Sequence, residues 1–425
     1  MSYRELVTRP VLAWSAVTVA ARLPVAMAPL ALVFLVREEP GGYALGAVLA
    51  AAYVLGEIIA APVLGMRMNA ERARPQLAAG LAVGATGFAG LGLAGGGAHP
   101  VLLGTLAFCA GAGPAAVPGG QRALLTSLVP ERAVTQAMSM ESVLTFGIWA
   151  AAPALATGLA LGAGPAVPPL LQAGLMALSV AGLWLLPAGW SAEAKETGAA
   201  MGRVLARAWP VYVTGAASLT LLALAELVLP ALLEQRGAAI GWAGPLLAGF
   251  SIGSAVGAFL YGLRDSWPGR LPVQSAVLIV AVSAGVALVA VLPWTAAVGA
   301  ALIAAGLLQA PAMLTRNLAL RQILPPGALA AGYSVMYAAV GAGYAVSGTL
   351  AGALLGVVAP STAILCGVVL TLVLTAVGVW GERRMPVARR ADGAEEAEEA
   401  GDRAAGAAPG AVAQPTAPAA RKVRR

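Results

Sequence analysis

Four ionisable side chains stand inside long apolar runs of the sequence: Arg22, Glu57, Glu141 and Glu226. A charge near the centre of a bilayer costs ~2.5–3.5 kcal/mol on insertion scales, so four cost roughly 10–14 kcal/mol by addition. Each must therefore be paired, neutralised or wetted by a cavity, and each is a functional candidate. At 1.5 Å per residue Arg22 lies ~18 Å, and Glu57 ~14 Å, from the same end of its run. The similar depths of two neighbouring runs predict that Arg22 and Glu57 approach one another. Such a pair either exchanges protons or an anionic substrate, or is a static ion pair that fixes helix packing. Glu141 lies about two turns or less from the end of its run and is expected to snorkel to the interface, as are Arg122, Arg316 and Arg321. Glu226 has no basic neighbour in its run. Loss of water around a carboxyl favours the neutral acid, which makes Glu226 a candidate proton carrier. Gln309, Trp149, Tyr333, Met336 and Tyr337 are expected either to line a cavity or to serve helix packing; flat aromatics and flexible Met suit an amphipathic, drug-like solute.

The elements that hold these residues follow from the composition. The 425 residues are 59% hydrophobic and only 11% charged, against about 25% charged in an ordinary soluble domain. Mean hydropathy is +0.83. The apolar material comes in blocks of about 20 residues or more, each long enough to cross a ~30 Å hydrocarbon core as a helix. Twelve spans are read, at about 10–36, 43–66, 75–96, 100–125, 134–162 and 166–188, then 208–233, 240–263, 271–293, 296–322, 330–357 and 361–381, numbered 1 to 12. The expected fold is an all-α polytopic membrane protein of two six-helix bundles, 1–188 and 208–381, with a cytoplasmic linker at 189–207. Residues 382–425 are rich in Glu, Ala, Pro and Gly and end in a basic cluster, and too little apolar surface remains there to fold.

Charge fixes the expected orientation. With the N-terminus inside, all but three of the 26 basic residues fall on inner loops, inner span ends or the C-terminal tail. The exceptions are Arg22, Arg37 and Arg236. The positive-inside rule then places both termini in the cytoplasm of a cell-membrane protein.

The two halves repeat at an offset of about 195–197. Gly56 to Gly65 in span 2 match Gly253 to Gly262 in span 8, and Leu128-Val129-Pro130 matches Ile323-Leu324-Pro325. Ser139 then aligns with Ser334 and Trp149 with Tyr344. Repeated halves suit a rocker with a central site between them. Between spans 2 and 3 the chain reads Gly65-Met66-Arg67-Met68-Asn69-Ala70-Glu71-Arg72-Ala73-Arg74, and between spans 8 and 9 Gly262-Leu263-Arg264-Asp265-Ser266-Trp267-Pro268-Gly269-Arg270. Over about residues 8–381 the chain resembles the major facilitator superfamily, whose loop signature is Gly-x-Leu-x-Asp-Arg-x-Gly-Arg-Arg. Gly65 and Arg74 match the first copy, with Asn69 and Ala70 at the acidic and following basic positions. The second keeps Gly262, Gly269 and Arg270, with Asp265 one place early. The resemblance implies cytoplasmic gate loops at Gly65, Arg72, Arg74, Gly262, Asp265 and Arg270, and a monomer. Likeness to the proton antiporters is partial: their span 4 Arg position is Ala107, and of their span 5 motif Pro153 is kept, with Ala152 before it.

Several functions fall away on composition. One His and two Cys, the latter inside apolar blocks, exclude a His-cluster metal site and a disulfide framework. Gly111 to Ala116 and Gly341 to Val346 look like truncated nucleotide loops but lie in spans and follow no strand, and the two lysines, Lys195 and Lys422, form no P-loop. No enzyme, cofactor or nucleic-acid partner is expected. The expectation is a secondary transporter in the lipid bilayer, exporting a small amphipathic solute at the expense of a proton gradient. Nutrient import, or a sensor that keeps the fold without transport, are the alternatives.

Overall fold

The computed structural model describes residues 6–39, 42–189, 199–264 and 267–384. Twelve helices among them are long and apolar enough to span a membrane. They are span 1 (Arg9–Val36), 2 (Ala44–Arg67), 3 (Ala70–Ala94), 4 (Pro100–Leu128), 5 (Glu131–Ala163) and 6 (Val167–Leu185), then 7 (Trp209–Gln235), 8 (Ala243–Gly262), 9 (Leu271–Val291), 10 (Thr295–Ile323), 11 (Pro326–Leu355) and 12 (Pro360–Arg384). No strand occurs among the described residues. In lipid every backbone donor and acceptor must be satisfied within the helix, which is why uninterrupted helix wins despite the many Gly and Pro residues. Span 4 is the broken one: a 3₁₀ turn at Gly113–Ala116 joins its two α-helical parts. Pro114 lies within that turn and Pro118 just after it, and each removes one N–H from the ladder.

Span 12 runs to Arg384, past the expected end at 381, and so carries Glu382 into the helix. The short helix Ala199–Arg207 precedes span 7, burying Met201 and Leu205 and exposing Arg203 and Arg207. The expected 382–425 tail beyond Arg384, and residues 190–198 of the expected linker, lie outside the described residues.

The repeat is visible as contacts. Gly56 of span 2 faces the carbonyl of Phe108 in span 4, and Gly253 of span 8 faces that of Ile303 in span 10. Gly111 faces the carbonyl of Tyr53, and Gly306 that of Phe250. The same four positions, one repeat apart, let span 2 cross span 4 and span 8 cross span 10 at backbone contact, the close approach that small residues permit in membranes. A methyl group at any of them would overlap the facing carbonyl or its neighbours. Gly111→Ala and Gly306→Ala are each expected to lower stability by about 1–3 kcal/mol, the usual cost of overpacking a close contact. Thermal unfolding of the purified variants checks this, and similar losses are expected for both because the two sites are related by the repeat.

The two bundles meet through spans 2 with 11 and 5 with 8, pairs that the repeat exchanges. They share an apolar core near the face where span 1 begins and span 12 ends, termed here the terminal face, and a second, small cluster of Ala61 and Ala115 with Ala338. At the terminal face Leu314, Leu320, Leu324, Leu329, Tyr333 and Met336 of the second bundle join the core of the first. Toward the far face the second bundle packs on itself, through Leu221, Leu224, Phe250, Val286, Leu302 and Ile364. The first bundle has its own far-side cluster of Met27, Ile148 and Ala152. Shared packing is thus concentrated toward the terminal face, and among the described residues no core cluster joins the bundles at the far face.

Candidate functional site

On span 1, Trp14, Thr18 and Arg22 recur every four residues, so they share one helix face, and all three are buried. That face meets spans 4 and 5. The Trp14 indole N–H donates to the Gln121 carbonyl at 2.8 Å. Two turns deeper, Arg22 Nη1 donates to Glu141 Oε1 at 2.5 Å and to Thr145 Oγ1 at 3.0 Å. Its Nη2 reaches the Pro118 carbonyl at 3.4 Å. Arg122 Nη2 donates to the same Glu141 oxygen at 2.6 Å. Two guanidinium groups therefore share one buried carboxylate, and the cluster carries one surplus positive charge.

The sequence-based pairing of Arg22 with Glu57 is corrected by this geometry: the partner of Arg22 is Glu141. Azimuth decides the partner, and Arg22 faces spans 4 and 5 rather than span 2. Nor does Glu141 snorkel, for its side chain is almost fully buried between the two arginines. Arg122 does not reach for the interface either. Its Nη1 donates to Asn317 Oδ1 at 3.4 Å, and its guanidinium sits 5.4 Å from the centre of the Tyr333 ring.

Glu57 is instead bound by two tyrosines. Tyr53, one turn back on span 2, donates to its Oε1 at 3.3 Å, and Tyr337 of span 11 donates to the same atom at 3.0 Å. The second bond crosses from one bundle to the other. Further polar contacts cross nearby. Arg122 and Asn317 are 195 residues apart, one repeat, so they meet close to the axis that relates the bundles. At the terminal face Arg321 of span 10 pairs with Glu131 at the start of span 5. Thus Arg321, expected to snorkel, is held across the bundle interface. Gly65 lies against Ser334 of span 11, where a larger residue would push spans 2 and 11 apart.

Arg316, also expected to snorkel, is buried and paired with Glu382 of span 12. It also donates to Thr214 Oγ1 at 3.3 Å and to the Leu271 carbonyl at 3.0 Å, tying together spans 7, 9, 10 and 12. Gln309 is fully buried and hydrogen-bonded to Ser218, and Met336 and Tyr333 are buried in the shared core, so none of the three lines an opening here. Trp149 is 49% exposed and Tyr344, its repeat mate, 40%. Glu226 is half-buried and has no hydrogen-bond or ion-pair partner among the described residues, with Tyr344 in electrostatic reach.

The loop after span 2 is built by local bonds. Asn69 Oδ1 accepts from the Glu71 N–H at 2.9 Å, the Asn69 N–H donates to Gln76 Oε1 at 2.6 Å, and the Arg74 guanidinium donates to the Leu186 carbonyl. Asn69 thus caps the turn without needing a charge, while Arg72 is exposed. In the second copy Gly262 is buried, the Arg270 carbonyl caps the start of span 9, and Asp265 lies outside the described residues. No group of three or more His, Cys, Asp or Glu among the described residues is placed to hold a metal ion.

Two six-helix bundles related by a repeat define a known architecture. The chain shares it with the human organic anion transporter MFSD10, at a TM-score of 0.68 and 15% identity over 89% of this chain and 100% of that one. The fold is that of the major facilitator superfamily. It is equally similar to a bacterial homologue of the iron transporter ferroportin in its outward-facing state, at a TM-score of 0.68 and 14% identity over 88% of this chain and 99% of that one. No family model matches the sequence, and no curated protein matches it. At these identities the major facilitator fold is what is shared, and the cargo of either neighbour is that neighbour's own.

Proposed function

We propose that this protein is a secondary active transporter that moves a small amphipathic solute by alternating access, exporting it in exchange for protons. The observation that carries the reading is the asymmetry of the bundle interface. The bundles share core packing and polar bonds toward the terminal face, and no core cluster of described residues joins them at the far face, the pattern expected of one of the two end states that rocking halves require. The basic residues favour the terminal face as the cytoplasmic one, so this end state opens outward. Reaching the other state means breaking Arg321–Glu131, Arg122–Asn317 and Tyr337–Glu57. An exposed ion pair contributes ~0–1 kcal/mol, and Glu131 is largely exposed, so that latch is weak enough to open and close during turnover.

Glu226 is the proposed proton carrier, since a part-buried carboxyl with no partner is free to gain and lose a proton without dismantling an ion pair. One charge moving through 100 mV supplies ~2.3 kcal/mol, enough for roughly a 50-fold gradient. Purified protein in liposomes, with a pH gradient imposed and a panel of amphipathic fluorescent dyes as solutes, tests this. Wild type is expected to accumulate dye until an uncoupler is added. Glu226→Gln is expected to lose gradient-driven accumulation at least tenfold while still equilibrating dye. Dye movement no faster than in protein-free liposomes would remove the transporter reading, and coupled movement by Glu226→Gln would remove the role of Glu226.

A further inference from the structure

The Arg22–Glu141–Arg122 cluster is built with one cation too many. Both guanidinium groups converge on a single oxygen, Oε1 of Glu141. Glu57, the other acid at this level, accepts from Tyr53 and Tyr337 and makes no ion pair with either arginine. On the side of the second bundle, the groups that meet the cluster are the Asn317 amide and the Tyr333 ring, both neutral. Donor capacity is left over as well. The Nε atoms of Arg22 and Arg122 and the side-chain NH2 of the fully buried Gln121 have no partner among the described residues, and the Gln121 Oε1 acceptor is unpartnered as well. Leaving a buried charge uncompensated costs several kcal/mol, so a site with this composition is tuned for a further negative charge.

Above the cluster the walls change character. Thr145 faces Arg22, and Trp149 follows it by one turn on nearly the same face of span 5. Tyr337 faces Glu57, and Tyr344 follows it by two turns, about 10 Å, on nearly the same face of span 11. Trp149 and Tyr344 keep much of their surface exposed. Counted along the helices, the two arginines thus lie within about two turns of two part-exposed aromatic rings, one on each bundle.

Resting on the transporter reading above, we propose that the cargo is an amphipathic organic anion, its charged group held by Arg22 and Arg122 and its apolar body lying against Trp149 and Tyr344. Arg22 keeps 9% of its side chain exposed, and that edge is where the anion enters. Binding of the anion supplies the charge that Glu141 alone does not, and the cluster becomes neutral.

Calorimetric titration of the purified full chain in phosphatidylcholine nanodiscs with 2-naphthoate and with its neutral isostere 2-naphthamide tests this directly. Naphthoate is expected to bind at least tenfold more tightly. Arg22→Gln and Arg122→Gln are each expected to erase that preference, and Arg22→Lys, which keeps the charge, to retain most of it. Trp149→Ala is expected to weaken both compounds without changing their ratio. Equal affinity of the two compounds in wild type, binding of neither, or a preference that survives Arg22→Gln in a cooperatively folding sample would overturn the proposal. The wild-type comparison stands even if a variant does not fold. Phosphatidylglycerol in the discs should not displace naphthoate; displacement would assign the site to a lipid headgroup and overturn a soluble cargo. Flux separates this inference from the one beneath it. Dye transport without anion preference retains the transporter and removes the anion, whereas anion preference without any flux does the reverse.

Discussion

Glu141→Gln is expected to destabilise the folded protein by about 3–5 kcal/mol, the usual cost of removing one partner from a buried ion pair. The size follows from where the side chain sits. Its Oε1 is the only carboxylate oxygen in ion-pair contact with Arg22 and Arg122 among the described residues. Gln keeps the shape and one acceptor but leaves two guanidinium groups close together with no negative charge between them. Spans 1, 4 and 5 meet at this point, so the first bundle loses its main polar tie. Thermal unfolding of purified protein reads the loss. The double variant Arg22→Gln with Glu141→Gln is expected to be less damaged than the sum of its single changes, because it removes one of the charges that the first change leaves unpaired. Strict additivity, or a Glu141→Gln protein as stable as wild type, would mean that the arginines find other partners.

Joining Glu131→Cys to Arg321→Cys with a short, reducible bis-thiosulfonate cross-linker is expected to abolish transport, and reduction is expected to restore it. In the native chain these two side chains pair across the bundle interface at the terminal face. A short cross-link there holds the face closed, and alternating access stops when either face cannot open. Covalent closure is needed because the native ion pair is exposed on the Glu131 side and so contributes little. Opening both cysteines to the reduced form leaves only the loss of that weak pair, so the reduced variant should transport nearly as well as wild type. Persistent transport by the fully cross-linked protein would show that the terminal face need not part.

The span count, the all-α class and the repeat follow from the order of the residues alone. A block of some 20 apolar residues has one stable form in lipid, and a repeat in sequence becomes a repeat in space because equal segments face equal packing problems. The glycines at 56 and 253 already marked the crossings that the structure displays. Basic residues, too, sort by loop without reference to contacts.

Partners were another matter. Arg22 and Glu57 have matching depths, yet Arg22 turns to Glu141, 119 residues away, and Glu57 to Tyr337, 280 residues away. Glu131, Asn317 and Glu382 carry little signal in the sequence because each sits at or near a span end, where a polar residue costs little. One clue was present: Arg122 and Asn317 are separated by one repeat, and positions so related meet when they lie near the axis between the halves. What the chain order determined was where along each span an ionisable group lies. Which helix face it occupies relative to eleven others was decided only by packing, because position along a span is set by 1.5 Å per residue, whereas azimuth depends on how every helix is rotated against its neighbours.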